Sequence, residues 1–189
     1  MVGRSASRFA PPSAGTAGRV SDLLQPIRRL SDRYRGDEDR PLGGYLVLDA
    51  TYLGLVAGIA ATIRRRRIPL PERIGLGDLV LVGVATHKLA RTVAKDAIAS
   101  PLRAPFNRYR EVGGPAELNE DVVADAPLPH AVGELMSCPF CLAQWVATAF
   151  VTGLVVAPRP TRVVAATFAS VALADFLQMA YAMAGQAAD

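Results

Sequence analysis

Thiols and aromatic rings are scarce in this chain. Its 189 residues include two cysteines, one tryptophan and two histidines, and aromatic residues make up 6%. A second Cys-x-x-Cys, which would complete a tetrahedral zinc set, is missing. No βαβ pattern surrounds the one pair present, as a thioredoxin-like domain would require. The N-terminal forty residues lack the apolar core of a secretory signal, so no cleavage is expected. Charged residues reach only 20%, fewer than a soluble domain of this length usually carries. No complete catalytic constellation is present.

What is abundant is aliphatic. Hydrophobic residues make up 51% and mean hydropathy is +0.24, concentrated in a few long runs of mostly Ala, Val and Leu. Such runs suit closely packed helices in a bilayer. The pI of about 9.4 raises nucleic acid as a partner. However, the arginines gather at the ends of apolar runs with no aromatic interleaving, so positive flanks on membrane helices explain them and nucleic-acid binding is not expected.

Three regions follow. Residues 1–40 form a basic tail. Within it Val20, Leu23, Leu24, Ile27, Leu30 and Tyr34 recur at helical spacing among arginines, which predicts an amphipathic helix over 20–35 able to lie on anionic lipid. Residues 41–74 hold the first spanning candidate, Leu42 to Ile63, stopped by Arg64-Arg-Arg-Arg67. Its Gly54 and Gly58 would let another helix, including one from a second copy, approach closely. Residues 75–185 hold the rest. Gly77 to Ala94 is an apolar helix with a basic end, in which His87, Lys88 and Arg91 share a face. Lys95 to Ser137 is a loop without a strand pattern, acidic in its later part and punctuated by Pro115, Pro127 and Pro129. Leu142 to Ala157 and Val163 to Gly185 are spans joined by a short turn at Pro158 to Arg162. The predicted fold is all-α, a polytopic transmembrane helical bundle of three or four spans.

An isolated carboxylate in an apolar helix is expensive. Asp175, with Gln178 nearby, is therefore expected to face protein and to pair with Lys88, Arg91 or His87 as an internal tether.

Cys138 and Cys141 open the last third in Gly133-Glu-Leu-Met-Ser-Cys-Pro-Phe-Cys-Leu-Ala-Gln-Trp145. Three readings stand. The pair fixes the loop to the following helix, as a disulfide or as buried thiols. It exchanges disulfides, its first thiol acidified by a helix N-terminus. Or it joins His130, and His87 beyond it, in a zinc site.

Asp78-Leu-Val-Leu-Val-Gly-Val-Ala-Thr-His-Lys-Leu-Ala-Arg91, Ser100-Pro-Leu-Arg-Ala-Pro-Phe106, the cysteine block and Ala174-Asp-Phe-Leu-Gln178 together resemble an uncharacterised family of bacterial membrane proteins of the YjcA sporulation type, over residues 75–185. The resemblance implies an integral protein of the bacterial cell membrane and no established activity, substrate or cofactor. The leading expectation is a non-enzymatic envelope or assembly component, and the competing class is a thiol-redox or metal-binding membrane protein.

Overall fold

The structure is a computed structural model that describes residues 25, 26, 29–34 and 40–187, and the chain divides into two compact units, Met1–Gly43 and Gly44–Asp189. In the first unit residues 29–34 are helical, with Leu30 and Tyr34 exposed. The rest of the amphipathic segment expected over 20–35 lies outside the described residues.

Helix α1 (Leu42–Arg65) begins at the division between the units. Its end is built on arginine where glycine is the usual choice. Arg67 takes a positive φ of 49°, Ile68 N–H donates to Ile63 C=O at 3.0 Å and Arg67 N–H to Arg64 C=O at 3.2 Å. This Schellman pattern satisfies carbonyls that the last turn leaves open.

Helix α2 (Leu76–Lys95) follows, then a 3-10 turn (Ala97–Ala99), the one-turn helix α3 (Ser100–Arg103) and an antiparallel hairpin of β1 (Asn107–Gly114) and β2 (Glu117–Val122). Helices α4 (Pro127–Ser137), α5 (Pro139–Val156) and α6 (Pro158–Gln186) complete the chain.

Two expectations are corrected here. The segment from Lys95 to Ser137 is structured, and its hairpin adds a small β element to a mostly helical fold. β1 is exposed along most of its length, so it carries no apolar alternation from which a strand could be read. Its register is interrupted twice, between Tyr109 and Glu111 and between Val112 and Gly114. The second correction concerns proline. Pro127 and Pro158 do not separate helices; each is the first residue of one, as Pro139 is of α5, where the acidified-thiol reading expects a helix start. The first-turn N–H has no intrahelical partner, so a ring that removes it costs the helix little. The link between α5 and α6 therefore shrinks to Ala157.

Helix directions follow from the contacts. At one end of α2, Arg162 Nε and Nη2 donate to the Asp78 carboxylate at 2.8 and 2.7 Å; further along, Lys88 reaches Asp175. Thus α2 and α6 run parallel. Val82 and Ala85 pack with Phe150 and Ala165, and Ala90 and Ala94 pack with Leu142, so α5 runs antiparallel to α2. Small buried residues on α2 (Ala85, Ala90 and Ala94) bring three helices close. Tyr52 of α1 meets Trp145 edge-on at 5.1 Å and hydrogen-bonds Thr148 at 2.9 Å, while Gly54 and Gly58 share a cavity with Thr152 and Val156, so α1 runs parallel to α5. Gly44 allows α1 to touch α4: a Cβ there would lie 2.1 Å from the Pro127 carbonyl oxygen.

Among the described residues three helices, α1, α5 and α6, are long and apolar enough to cross a membrane by length and composition. Their outer faces present Leu46, Leu53 and Leu55, Val151 and Val156, and Val163, Val171, Leu173 and Leu177.

Candidate functional site

The polar residues of α2 and α6 meet in a cavity of about 570 Å³ near the C-terminal end of α2. His87, Lys88 and Arg91 follow one another up a face of α2 because positions three and four apart overlie. Asp175 and Gln178 do the same on α6. Lys88 Nζ lies 2.9 Å from Asp175 and 3.4 Å from Asp96, which links the two helices to the residue that ends α2. Arg91 pairs with Glu117 at the start of β2. His87 stacks on Phe176, ring centroids 6.4 Å apart. The turn Pro115-Ala116 contributes to the wall, as do Ala172, Met179 and Ala182 of α6. All five residues of the polar group read in the sequence line this one cavity.

The hairpin reaches it through a second polar cluster that the sequence reading missed. Arg103 is wholly buried, at 0% exposure, and its guanidinium makes five hydrogen bonds. Two go to the Glu120 carboxylate, from Nε at 2.8 Å and Nη2 at 2.7 Å. Nη1 donates to the carbonyls of Val93 (2.7 Å) and Asp96 (3.2 Å), and Nη2 to Ser100 Oγ (3.2 Å). Val93 C=O is one of the carbonyls that the end of α2 leaves without an intrahelical partner. Arg103 thus caps α2 and fastens β2 to it. Its hydrogen bonds hold the Glu120 carboxyl below the usual carboxylate range, with the charge of Arg103 and a bond from Asn107 adding to the effect against the opposing push of burial. Asn107 Nδ2 also donates to Gly133 C=O at 3.3 Å, and a Cβ on Gly133 would sit 2.6 Å from Asn107 Oδ1. The signal in the sequence was an arginine between two prolines in Ser100-Pro-Leu-Arg-Ala-Pro-Phe106. Seven loop carboxylates could have partnered it, and spacing alone does not choose among them.

Cys138 and Cys141 are joined in a disulfide, Cα atoms 5.3 Å apart. Both belong to the first turn of α5: Cys138 is its N-cap, and Cys138 Sγ accepts the Cys141 N–H at 3.2 Å. His130, on α4, has Nδ1 3.1 Å from Ala124 C=O and Nε2 3.9 Å from Glu134, which also accepts from Tyr45 Oη. His87 lines the α2–α6 cavity. Among the described residues no group of three or more His, Cys, Asp or Glu side chains is placed to hold a metal ion, so the zinc set of Cys138, Cys141 and a histidine is not assembled.

A family model described as a protein of unknown function (DUF1360) matches residues 81–181, more than half of the chain. The chain belongs to this family. The matched span contains most of the cavity's walls, the Arg103 cluster and the cysteine pair, and leaves out α1. No curated protein and no solved structure matches the chain.

Proposed function

We propose that this DUF1360 protein is a multi-pass component of the bacterial cell membrane, with an assembly role in the envelope in which the α2–α6 cavity and the hairpin form the working end. The observation that carries the reading is the division of surface. Helices α1, α5 and α6 turn large apolar side chains outward, an arrangement that lipid would cover. Lys88 and Arg91 of α2 find carboxylates within the protein.

Connectivity supports a fourth crossing beside the three. Helix α1 and helix α5 run the same way, so the chain must return between them. Helix α2, packed between α5 and α6 and about 30 Å long, makes that return. Composition alone does not pick it out, because its charges face partners. Arg64 to Arg67, Arg73, Arg159 and Arg162 gather at one end, and the hairpin and cysteine pair at the other. Counted over these turns, the positive-inside tendency puts the arginine end in the cytoplasm, and it leaves the basic segment before α1 on the opposite side, against the same tendency. The likeness to the YjcA sporulation type remains a resemblance of motifs, and the assembly role does not depend on it.

The test is labelling with a membrane-impermeant maleimide in intact cells. Cys138 and Cys141 are expected to label only after reduction, and a cysteine introduced at Glu72 only once the membrane is opened. Glu72→Cys labelling from outside would reverse the orientation. Labelling of both sites on the same side would remove the fourth crossing.

A further inference from the structure

We propose that Cys138–Cys141 is a reversible redox bridge that exchanges with a dithiol of a partner protein. The first argument is what the bridge does not hold. A structural disulfide stabilises by closing a loop between chain-distant segments, and the effect grows with loop length. Here the cysteines are three residues apart at the junction where Cys138 ends α4 and caps α5, so the bond closes only the shortest of loops. The segment before α5 has stronger fastenings than this bridge. They are Arg103 with Glu120, and Leu142 buried against Ala90 and Ala94. Pro139 presets the first turn with or without the bond.

The second argument is access and polarity. Cys141 is exposed, and Phe140 between the two cysteines is 88% exposed. Cys138 is half-buried, and its sulfur sits at the N-terminus of an 18-residue helix, accepting a backbone N–H. A thiolate at that position is stabilised by the helix dipole and by this hydrogen bond. The two sulfurs therefore have different roles: Cys141 is the one to be attacked and Cys138 the one to leave, since a lower-pKa thiol leaves faster.

The exchange balances. A thiolate of the partner attacks Cys141 Sγ, the Cys138–Cys141 bond breaks, and a mixed disulfide forms while Cys138 departs as a thiolate. The partner's second thiolate then attacks the partner sulfur of the mixed disulfide and releases Cys141. The partner dithiol has lost two electrons and two protons in becoming a disulfide, and Cys138 and Cys141 have gained them. A disulfide of an oxidising partner reverses the sequence.

The experiment uses the full-length protein in detergent, so its outcome does not depend on membrane orientation. Alkylation of the single thiols is followed against pH. In Cys141→Ser, Cys138 is expected to react about tenfold faster at pH 7 than Cys141 does in Cys138→Ser, with its midpoint shifted to lower pH. The oxidised wild type is expected to be reduced by millimolar reduced glutathione, with little change in melting temperature. Equal alkylation profiles, or a bridge that resists glutathione and whose forced reduction unfolds α5, would overturn the proposal. Should a serine variant fail to fold, differential isotope-coded alkylation of the reduced wild type gives the same ratio for the two thiols.

Discussion

Two charged clusters, one around Lys88 and Arg91 and one around Arg103, are close on the chain and built on opposite plans. Around Arg103 every donor of the guanidinium has an acceptor, the pair with Glu120 is bidentate, and the side chain is wholly buried. Around Lys88 and Arg91 the pairs are single contacts that line a space of about 570 Å³. A buried ion pair is tolerated when every remaining donor is satisfied, and it then fixes geometry. An ion pair on a cavity wall can trade its partner for a ligand. The first cluster positions the hairpin; the second is where something can bind.

The largest test of that contrast is Arg103→Ala. It leaves the Glu120 carboxylate buried and unpaired, frees Val93 C=O and detaches the hairpin. A loss of about 3–5 kcal/mol is expected, read by thermal unfolding and by new protease cleavage between residues 104 and 126. Arg103→Lys keeps the charge without the planar fork and should lie between the two. Resistance to cleavage in Arg103→Ala would mean that strand pairing alone holds the hairpin.

Asp175 should be more forgiving, because Lys88 keeps Asp96. Asp175→Ala is expected to lower stability by about 1 kcal/mol and Asp175→Asn by less. In Lys88→Met the Asp175 substitutions should have almost no further effect. Full additivity in that double-mutant cycle would show that the pair is not coupled.

Acid separates the clusters in another way. The folded state holds the Glu120 pKa down, so its contribution is fully present above the ordinary carboxylate range. It fades as pH falls through the lowered value, when the folded protein too must take up the proton. The protection of the β2 amides relative to their intrinsic exchange rates should fall on acidification from pH 7 toward pH 3, and Arg103→Met should remove most of that dependence. An unchanged profile in Arg103→Met would point to other carboxylates.

The smallest expected effect is a gain. Ala116 sits at φ 60° beside Pro115 in the hairpin turn, a conformation glycine adopts without penalty. Ala116→Gly should add about 1 kcal/mol, seen as a slower local opening of the hairpin. No gain, or a loss, would mean that the Ala116 methyl group on the cavity wall matters more than backbone strain.

The sequence made the long helices legible because each is an apolar run of bilayer length, and it made the polar cavity legible because a lone Asp175 in such a run demands a partner. The helix starts at Pro127 and Pro158 are less legible, because proline both breaks a helix and fits its first turn. The hairpin was hidden for a different reason. Asn107 to Gly114 is mostly exposed, so its strand is held by pairing with β2 and by the Arg103 cluster and not by an apolar face. Interactions between residues 17 apart, such as Arg103 with Glu120, leave no periodic trace.

Lys88 also has a history in time. Its two carboxylates reach it at different moments of synthesis. Asp96 emerges eight residues later and can pair while α2 is still the newest helix. Asp175 follows after roughly 90 residues, about 5–20 s at ribosomal speed. Through that interval Asp96 is the near partner that keeps the lysine neutralised, and the arrival of α6 then converts a local pair into the bond between two helices.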